Sequence, residues 1–348
     1  MGDKSFGRVG LFGKSATLFS IKNSKGMEVL VTDYGATTVS IFVRDRQGEL
    51  RDVILGYDNA KDYAEHWSYF GATVGRNANR IAGAQISIDG EVYHLEKNDR
   101  GNNLHSGSKS LTKVFWDVKS REDNCITFVY NSPDLEEGYP GNATVEVTFE
   151  VTEDNDYLIR YHALSDKKTV FNMTNHCYYN LNGAGNGTVL EHVLQINASH
   201  YTPCIDQKSI PTGEIAPVEG TPFDFTVAKP IGQDIHADHP QIALANGYDH
   251  NFAIDKTMDG VEKAAVIYSQ ESGIQMEVFT DTPGIQLYTA NGVKGEVGKG
   301  NTAYENYGAF CLETQYFPNA INEPNFSTPV TDANVPYEST TRYHFSLI

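Results

Sequence analysis

Positive charge is scarce in this chain of 348 residues. It has 27 Lys and Arg residues against 45 Asp and Glu residues, and its formal net charge is -18. Nucleic acids and anionic membrane surfaces bind proteins through clustered basic side chains. We therefore expect neither as a partner, whereas a neutral small molecule is compatible with this acidic balance.

Cysteine is also rare. The chain has four cysteines, and none of them forms the C-x-x-C pair that is typical of zinc or redox motifs. A chain of this length buries a large core without covalent cross-links. We therefore expect free thiols in a reducing compartment. The four residues are Cys125, Cys177, Cys204 and Cys311.

Long apolar segments are missing. The first twenty residues lack the apolar core of a signal peptide. No run approaches the roughly 20 apolar residues of a membrane span, so we expect a cytoplasmic protein. No glycine-rich loop opens a predicted helix, and a nucleotide cofactor is therefore not indicated.

Strand signals dominate what is present, including 20 Tyr and 17 Phe residues. Residues 144–151 (TVEVTFEV) alternate apolar and polar side chains, and residues 157–163 return after an Asp-Asn-Asp turn. Residues 85–95 resemble a hairpin with Asp-Gly at its tip. Residues 264–289 predict a further hairpin and strand, and residues 341–347 predict a last strand.

Helical patterns are few and short, and residues 59–66 are the best candidate. Three loop-rich stretches interrupt the strands, at residues 97–112, 183–190 and 202–250. Neither a repeat nor a low-complexity linker divides the chain. We predict an all-β fold, a large antiparallel β-sandwich with few short helices, forming one domain over residues 1–348.

Two side chains are unusual for their surroundings. Glu313 interrupts an apolar run, and an ionised Glu is seldom buried without a partner. His176 lies among apolar and aromatic residues. Structural roles are open for both: Glu313 as one half of a salt bridge, for which Arg80 is a candidate partner, and His176 as a hydrogen-bonded core residue.

The other candidates have structural alternatives as well. His105 lies in a polar loop, Asp249 suits the cap of a turn, and the adjacent His250 suits a structural role. These His, Asp and Glu residues are far apart in the chain and lack the short spacing of recognisable metal sites. We therefore expect no catalytic metal.

Six segments, taken in chain order, resemble motifs of the aldose 1-epimerase (galactose mutarotase) family. One departure is Ser106, which stands where the family usually has Gly. The six segments are Gly75-Arg76 with Asn79-Arg80-Ile81, Asn103-Leu104-His105 with Gly107, residues 174–181 (TNHCYYNL), residues 247–250 (GYDH), residues 283–289 (PGIQLYT), and residues 312–326 (LETQYFPNAINEPNF).

The resemblance implies a β-supersandwich with an open cleft for a pyranose, and an enzyme that interconverts the α and β anomers of free aldohexoses such as galactose and glucose. It implies that His176 is the general acid that protonates the ring oxygen and Glu313 the base that deprotonates the C1 hydroxyl. We expect Tyr178 or Trp67 to stack on the sugar. The residues implied in sugar binding are Asn79, Arg80, His105, Tyr178, Asp249 and Gln286.

The chemistry suits an acid and a base. Ring opening removes a proton from O1 and adds one to O5, and closure on the other carbonyl face reverses both transfers. No hydride moves and no carbon–hydrogen bond breaks, so we expect no cofactor. The reaction requires Glu313 ionised and His176 protonated at the start, and we expect nearby Arg80 to keep the carboxylate charged.

Three other functions remain open at this stage. A hexose-6-phosphate 1-epimerase would need extra cations, for which Arg76, Arg80, Lys97 and Arg100 are candidates. A non-catalytic carbohydrate-binding or sensing protein would bind sugar without accelerating anomerisation. A glycoside hydrolase would pair Glu313 with Asp249. We expect a small-molecule monosaccharide as the partner, and a monomer or weak homodimer.

Overall fold

The computed structural model describes residues 3–10 and 13–348, and every ladder between its strands is antiparallel. Its largest sheet has nine strands. In spatial order these strands are Asp117–Arg121, Cys125–Ser132, Ala143–Val151, Asp156–Ser165, Tyr337–Leu347, Ile274–Thr280, Glu262–Tyr268, Val193–Ile196 and Lys229–Pro230.

Two further sheets have five strands each. The first is an N-terminal meander of Lys4–Arg8, Ser15–Lys22, Glu28–Thr32, Thr37–Arg44 and Leu50–Asp52. The second, which we call the site sheet, has the spatial order Ala216–Pro217, His200–Thr202, Asp249–Ala253, Gly284–Tyr288 and Cys311–Gln315.

Short elements connect these sheets. Four two-stranded ladders pair Thr73–Val74 with Thr174–Asn175, Arg80–Ile81 with Asn103–Leu104, Gln85–Ile88 with Glu91–His94, and Thr169–Val170 with Val330–Thr331. The α-helices of the described residues are Ala60–Glu65 and Pro240–Ala245. The 3₁₀ turns are Ala82–Ala84, Leu111–Lys113, Glu136–Gly138, Ile231–Gln233, Lys299–Asn301 and Ala320–Asn322.

The predicted all-β class is confirmed, and so are the local predictions on which it rested. The hairpin at residues 85–95 turns at Asp89 and Gly90, which both have positive φ, of 51° and 86°. The helix predicted over residues 59–66 spans Ala60–Glu65, and Asn59 caps it by accepting a hydrogen bond from the backbone N–H of Asp62.

One apolar cluster joins the three larger sheets. Val145, Val147, Phe149 and Val151 alternate inward along their strand and are completely buried, as the sequence pattern predicts. They belong to the same buried cluster as side chains of the N-terminal meander and of the site sheet. The site sheet is therefore fixed to the main core through one of its faces.

The structure also bears on the thiols and on membrane association. All four cysteines are free, as expected. Within residues 3–10 and 13–348, no helix has the length and apolar character needed to cross a membrane.

Candidate active site

The site sheet separates core side chains from site side chains by strand alternation. Its central strands pair in register, with Asn251 opposite Gln286 and Gln286 opposite Glu313. Cross-strand partners point to the same face of a sheet, and their sequence neighbours point to the other. Glu313 therefore faces the site, while Leu312 and Leu287 enter the core. This alternation explains how a carboxylate interrupts an apolar run.

An antiparallel bridge brings His176 to Glu313. Tyr179 and Phe310 exchange backbone hydrogen bonds of 2.7 and 2.9 Å. His176 lies three residues before Tyr179, and Glu313 lies three residues after Phe310. In the antiparallel register of this bridge, His176 and Glu313 are therefore opposite each other. Their side chains meet, with His176 Nε2 3.5 Å from Glu313 Oε2.

A second ladder supplies the opposite wall. Arg80 pairs with Leu104, and the backbone N–H of His105 donates to the carbonyl oxygen of Asn79 at 3.1 Å. Asn79 and His105 have φ of 62° and 51°, in the left-handed region that non-glycine residues seldom adopt. Such backbone conformations are concentrated at functional sites.

These elements surround a cavity of about 210 Å³ that is open to solvent. Seven of the eight residues implied by the resemblance line it, and Gln286 lies directly behind. Leu104 and Tyr288 lie within family motifs but were not predicted as site residues, and Tyr69 lies outside every motif. The lining residues are Trp67, Tyr69, Asn79, Arg80, Leu104, His105, His176, Tyr178, Asp249, Tyr288 and Glu313.

Burial sets the protonation of the His176–Glu313 pair. It raises the pKa of Glu313 well above its usual range and lowers the pKa of His176 to about 4. This differs from the charged pair expected from the sequence, because desolvation disfavours both charges. The neutral pair and the charged pair hold the same number of protons. They differ only in whether one proton is on Glu313 Oε2 or on His176 Nε2, which lie 3.5 Å apart.

Arg80 does not pair with Glu313, so the salt bridge considered from the sequence is wrong. Arg80 Nε donates to Asp99 Oδ2 at 2.8 Å, and its Nη1 lies 3.8 Å from Asp249 Oδ2. Burial alone would lower the pKa of Arg80, but these two carboxylates outweigh burial and raise it. No protein group of the described residues donates a hydrogen bond to Glu313 Oε2, which is buried.

Three possible metal ligands converge in the cavity. One donor atom each from His105, His176 and Glu313 lies within 4.8 Å of the others, so wide sequence spacing did not prevent the residues from meeting. However, the backbone N–H of Asn79 donates to His105 Nδ1 at 3.1 Å. A neutral ring that accepts at Nδ1 carries its proton on Nε2. Burial holds the pKa of His105 well below its usual range, so this ring presents an N–H donor, which suits a sugar oxygen better than a cation.

Gln286 lies behind the cavity wall rather than in it. Its Nε2 donates to Asp249 Oδ1 at 2.8 Å, and its Oε1 accepts from Gln315 Nε2 at 3.3 Å. Only 3% of Gln286 is exposed. Its position supports a role in orienting Asp249, while direct sugar contact stays a prediction.

Aromatic rings enclose the histidine. His176 stacks between Tyr178 and Tyr69, with centroid distances of 5.0 and 6.0 Å and interplanar angles of 16° and 20°. One face of Tyr178 is therefore covered by His176. Trp67 lies at the cavity rim and is 56% exposed. Trp67 thus has more free ring surface than Tyr178, which was the other ring expected to stack on a sugar.

Ser106, the departure from the family motif, is accommodated by a local contact. Its Oγ accepts from the backbone N–H of Asn77 at 2.7 Å and lies 3.1 Å from the carbonyl oxygen of the same residue. This contact ties the His105 loop to the segment before Asn79.

The chain is similar in sequence to proteins of a known family. The model of the family described as aldose 1-epimerase matches residues 17–344. The chain is 39% identical over 325 residues to galactose mutarotase from Sus scrofa, covering 93% of this chain and 92% of the relative. It is 34% identical over 335 residues to aldose 1-epimerase from Escherichia coli (strain K12), covering 96% of each.

A solved structure shows the same fold. An aldose epimerase homologue from C. elegans superposes with a TM-score of 0.89 at 28% identity, covering 96% of this chain and 99% of that one. Together with the match to the family model, this likeness extends over nearly the whole chain. The chain therefore belongs to the aldose 1-epimerase family.

Proposed function

We propose that this protein interconverts the α and β anomers of free aldohexoses such as galactose and glucose, with His176 and Glu313 as the acid–base pair. His176 acts as the general acid that protonates the ring oxygen, and Glu313 as the base that takes the proton of the C1 hydroxyl. Asn79, Arg80, His105, Tyr178 and Asp249 orient the sugar, and Gln286 acts through Asp249.

The observation that carries this proposal is the 3.5 Å separation of His176 Nε2 and Glu313 Oε2 at the wall of one open cavity. The two sugar oxygens that exchange protons, O1 and O5, are bonded to the same carbon. An acid and a base that serve them must also be close neighbours, each within hydrogen-bond reach of its own oxygen. In the charged form of the pair, the unpaired Oε2 of Glu313 is an acceptor for the C1 hydroxyl.

The proton balance closes within the pair. In the charged form, Glu313 takes the O1 proton as His176 delivers its proton to O5, which leaves a neutral carboxyl and a neutral imidazole. Free rotation about C1–C2 then presents the other carbonyl face. Ring closure returns a proton to O1 and removes the one on O5, which restores the starting pair.

The positions of the Lys and Arg side chains favour unphosphorylated sugars as substrates. Of the four candidates for a phosphate site, Arg76 is buried and donates to Ser132 and the carbonyl oxygen of Gly141. Arg80 is the only Lys or Arg that lines the cavity among the described residues, and Asp99 and Asp249 already balance it. Arg100 also pairs with Asp99. We therefore expect weak activity on hexose 6-phosphates.

Polarimetry on freshly dissolved α-galactose tests the proposed function. The wild-type protein should accelerate the approach to the anomeric equilibrium in proportion to its concentration. Parallel assays on glucose and glucose 6-phosphate should favour glucose. Saturable sugar binding without acceleration would instead indicate a binding or sensing protein, and cleavage of an aryl glycoside would indicate a hydrolase.

We propose further that the enzyme works in the cytoplasm as one domain over residues 1–348 and as a monomer or weak homodimer. Four free thiols support a reducing compartment. The apolar cluster shared by the three larger sheets supports one domain.

A further inference from the structure

Trp67 occupies a distinctive position at the mouth of the cavity. It lines the cavity but keeps 56% of its surface exposed. It follows the helix Ala60–Glu65 after a single residue, His66. The only other tryptophan, Trp116, is buried with 1% exposure and donates its Nε1–H to the carbonyl oxygen of Leu111.

A half-buried lysine holds this segment. Lys113 Nζ donates to the backbone carbonyl oxygens of Tyr63 and His66 at 2.6 Å each, and to that of Ala64 at 3.4 Å. The same ammonium group lies 5.1 Å from the centroid of the Trp67 ring. A cation over an indole face is attracted by the ring quadrupole. Lys113 therefore ties the end of the helix and the indole together.

The segment is anchored from its other side as well. His66 Nδ1 lies 2.9 Å from Glu296 Oε2, which also accepts from the Tyr57 hydroxyl at 2.9 Å. Backbone and ring are thus held between Lys113 and Glu296. Because a fixed exposed aromatic loses little conformational entropy on binding, such a ring is a favourable contact surface for a ligand.

We propose that Trp67 is the ring on which the bound sugar stacks, and that Lys113 is the positioning residue that holds Trp67 at the cavity mouth. This inference rests on the proposed function. The negative face of the indole attracts the weakly positive C–H groups on the apolar face of a pyranose. Lys113 itself acts through Trp67 and the helix end, without touching the sugar.

The expected signature is a change in KM rather than kcat. Stacking away from the reacting atoms contributes equally to the ground state and the transition state, so its loss raises KM and leaves kcat unchanged. We expect Trp67→Ala to raise KM for galactose about tenfold, with kcat within about twofold of wild type. Lys113→Met should raise KM about threefold to tenfold by the same reasoning, because the indole is no longer held.

Two controls separate positioning from folding. Lys113→Arg keeps a cation that reaches carbonyl oxygens and the ring, and it should restore most of the lost affinity. Lys109→Met removes an exposed lysine of the same loop and should leave KM unchanged. Melting temperatures of all variants identify any that fail to fold.

Tryptophan fluorescence gives a second readout with galactose as the probe. Wild-type emission should change saturably with galactose, Trp67→Phe should abolish that change, and Lys113→Met should shift it to higher sugar concentration. A wild-type KM in folded Trp67→Ala or Lys113→Met, or a loss confined to kcat, would overturn the inference while leaving an active wild-type enzyme. Absence of mutarotation by the wild type would instead contradict the proposed function.

Discussion

His176 Nε2 lies 3.5 Å from Glu313 Oε2, although the two residues are far apart in the chain. The bridge between Tyr179 and Phe310 sets this relationship through its register. Both residues are buried, with 5% and 2% exposure. Burying an ionisable side chain costs folding free energy, so a functional role would explain why each is present. The pair combines a histidine and a carboxylate whose ordinary pKa values are both displaced by desolvation.

Replacing Glu313 should not destabilise the protein. No described residue donates a hydrogen bond to its Oε2, and burial penalises its charge. We expect Glu313→Gln to have a melting temperature equal to or above that of wild type, measured by circular dichroism. A structural salt bridge would behave differently, since loss of one partner of a buried ion pair costs about 3 kcal/mol or more.

The acid limb of the profile of kcat/KM against pH should lie at a lower pH than an ordinary histidine would give. With the pKa of His176 lowered to about 4 by burial, the pair gains a second proton, and loses its base, only as the pH falls through about 4. We expect kcat/KM to remain high through pH 6.5, the usual region of histidine titration. The measurement is polarimetric kcat/KM against pH, with circular dichroism at each point to confirm folding. An acid limb near pH 6.5 would show that the imidazole titrates normally.

Gln286 and Asp249 should act as one unit. The 2.8 Å hydrogen bond from Gln286 to Asp249 orients a carboxylate of the cavity wall. We expect Gln286→Leu to lower kcat/KM about tenfold, since loss of a hydrogen bond to a charged group costs about 1.5–3 kcal/mol. In an Asp249→Asn background the same change should have little further effect. Gln275→Leu, in the nine-stranded sheet, is the matched control, and additive losses would show that Gln286 acts independently of Asp249.

The sequence predicted local features well and spatial relationships poorly. Alternation in residues 144–151 identified a core strand because side-chain direction follows from local period. Glu313 was recognised as anomalous because a carboxylate within an apolar run is a local signal. The partners of Arg80 could not be predicted, because they depend on how two ladders and the site sheet meet.

Tyr69 and Lys113 were not predicted from the sequence, because their positions also depend on how distant segments pack. The Tyr69 side chain lines the cavity, and the backbone of Tyr69 has a φ of 56°. Neither the composition of the chain nor the spacing of its motifs indicates that conformation. Lys113 belongs to a three-residue 3₁₀ turn and contacts the ring of Trp67, which lies 46 positions earlier in the chain. Strand register and loop conformation are set by tertiary packing, so only the ordered family motifs linked His176 to Glu313 before the structure did.

The acid–base pair is tested most directly by anomer exchange NMR on galactose at equilibrium, with wild type, His176→Gln and Glu313→Gln at equal concentrations of folded protein. Each substitution removes one proton-transfer group, and such groups typically contribute 10²–10⁴-fold. We predict that each variant loses about 100-fold or more in exchange rate while its fold is retained. Exchange near the wild-type rate in either variant would contradict the assignment of that residue.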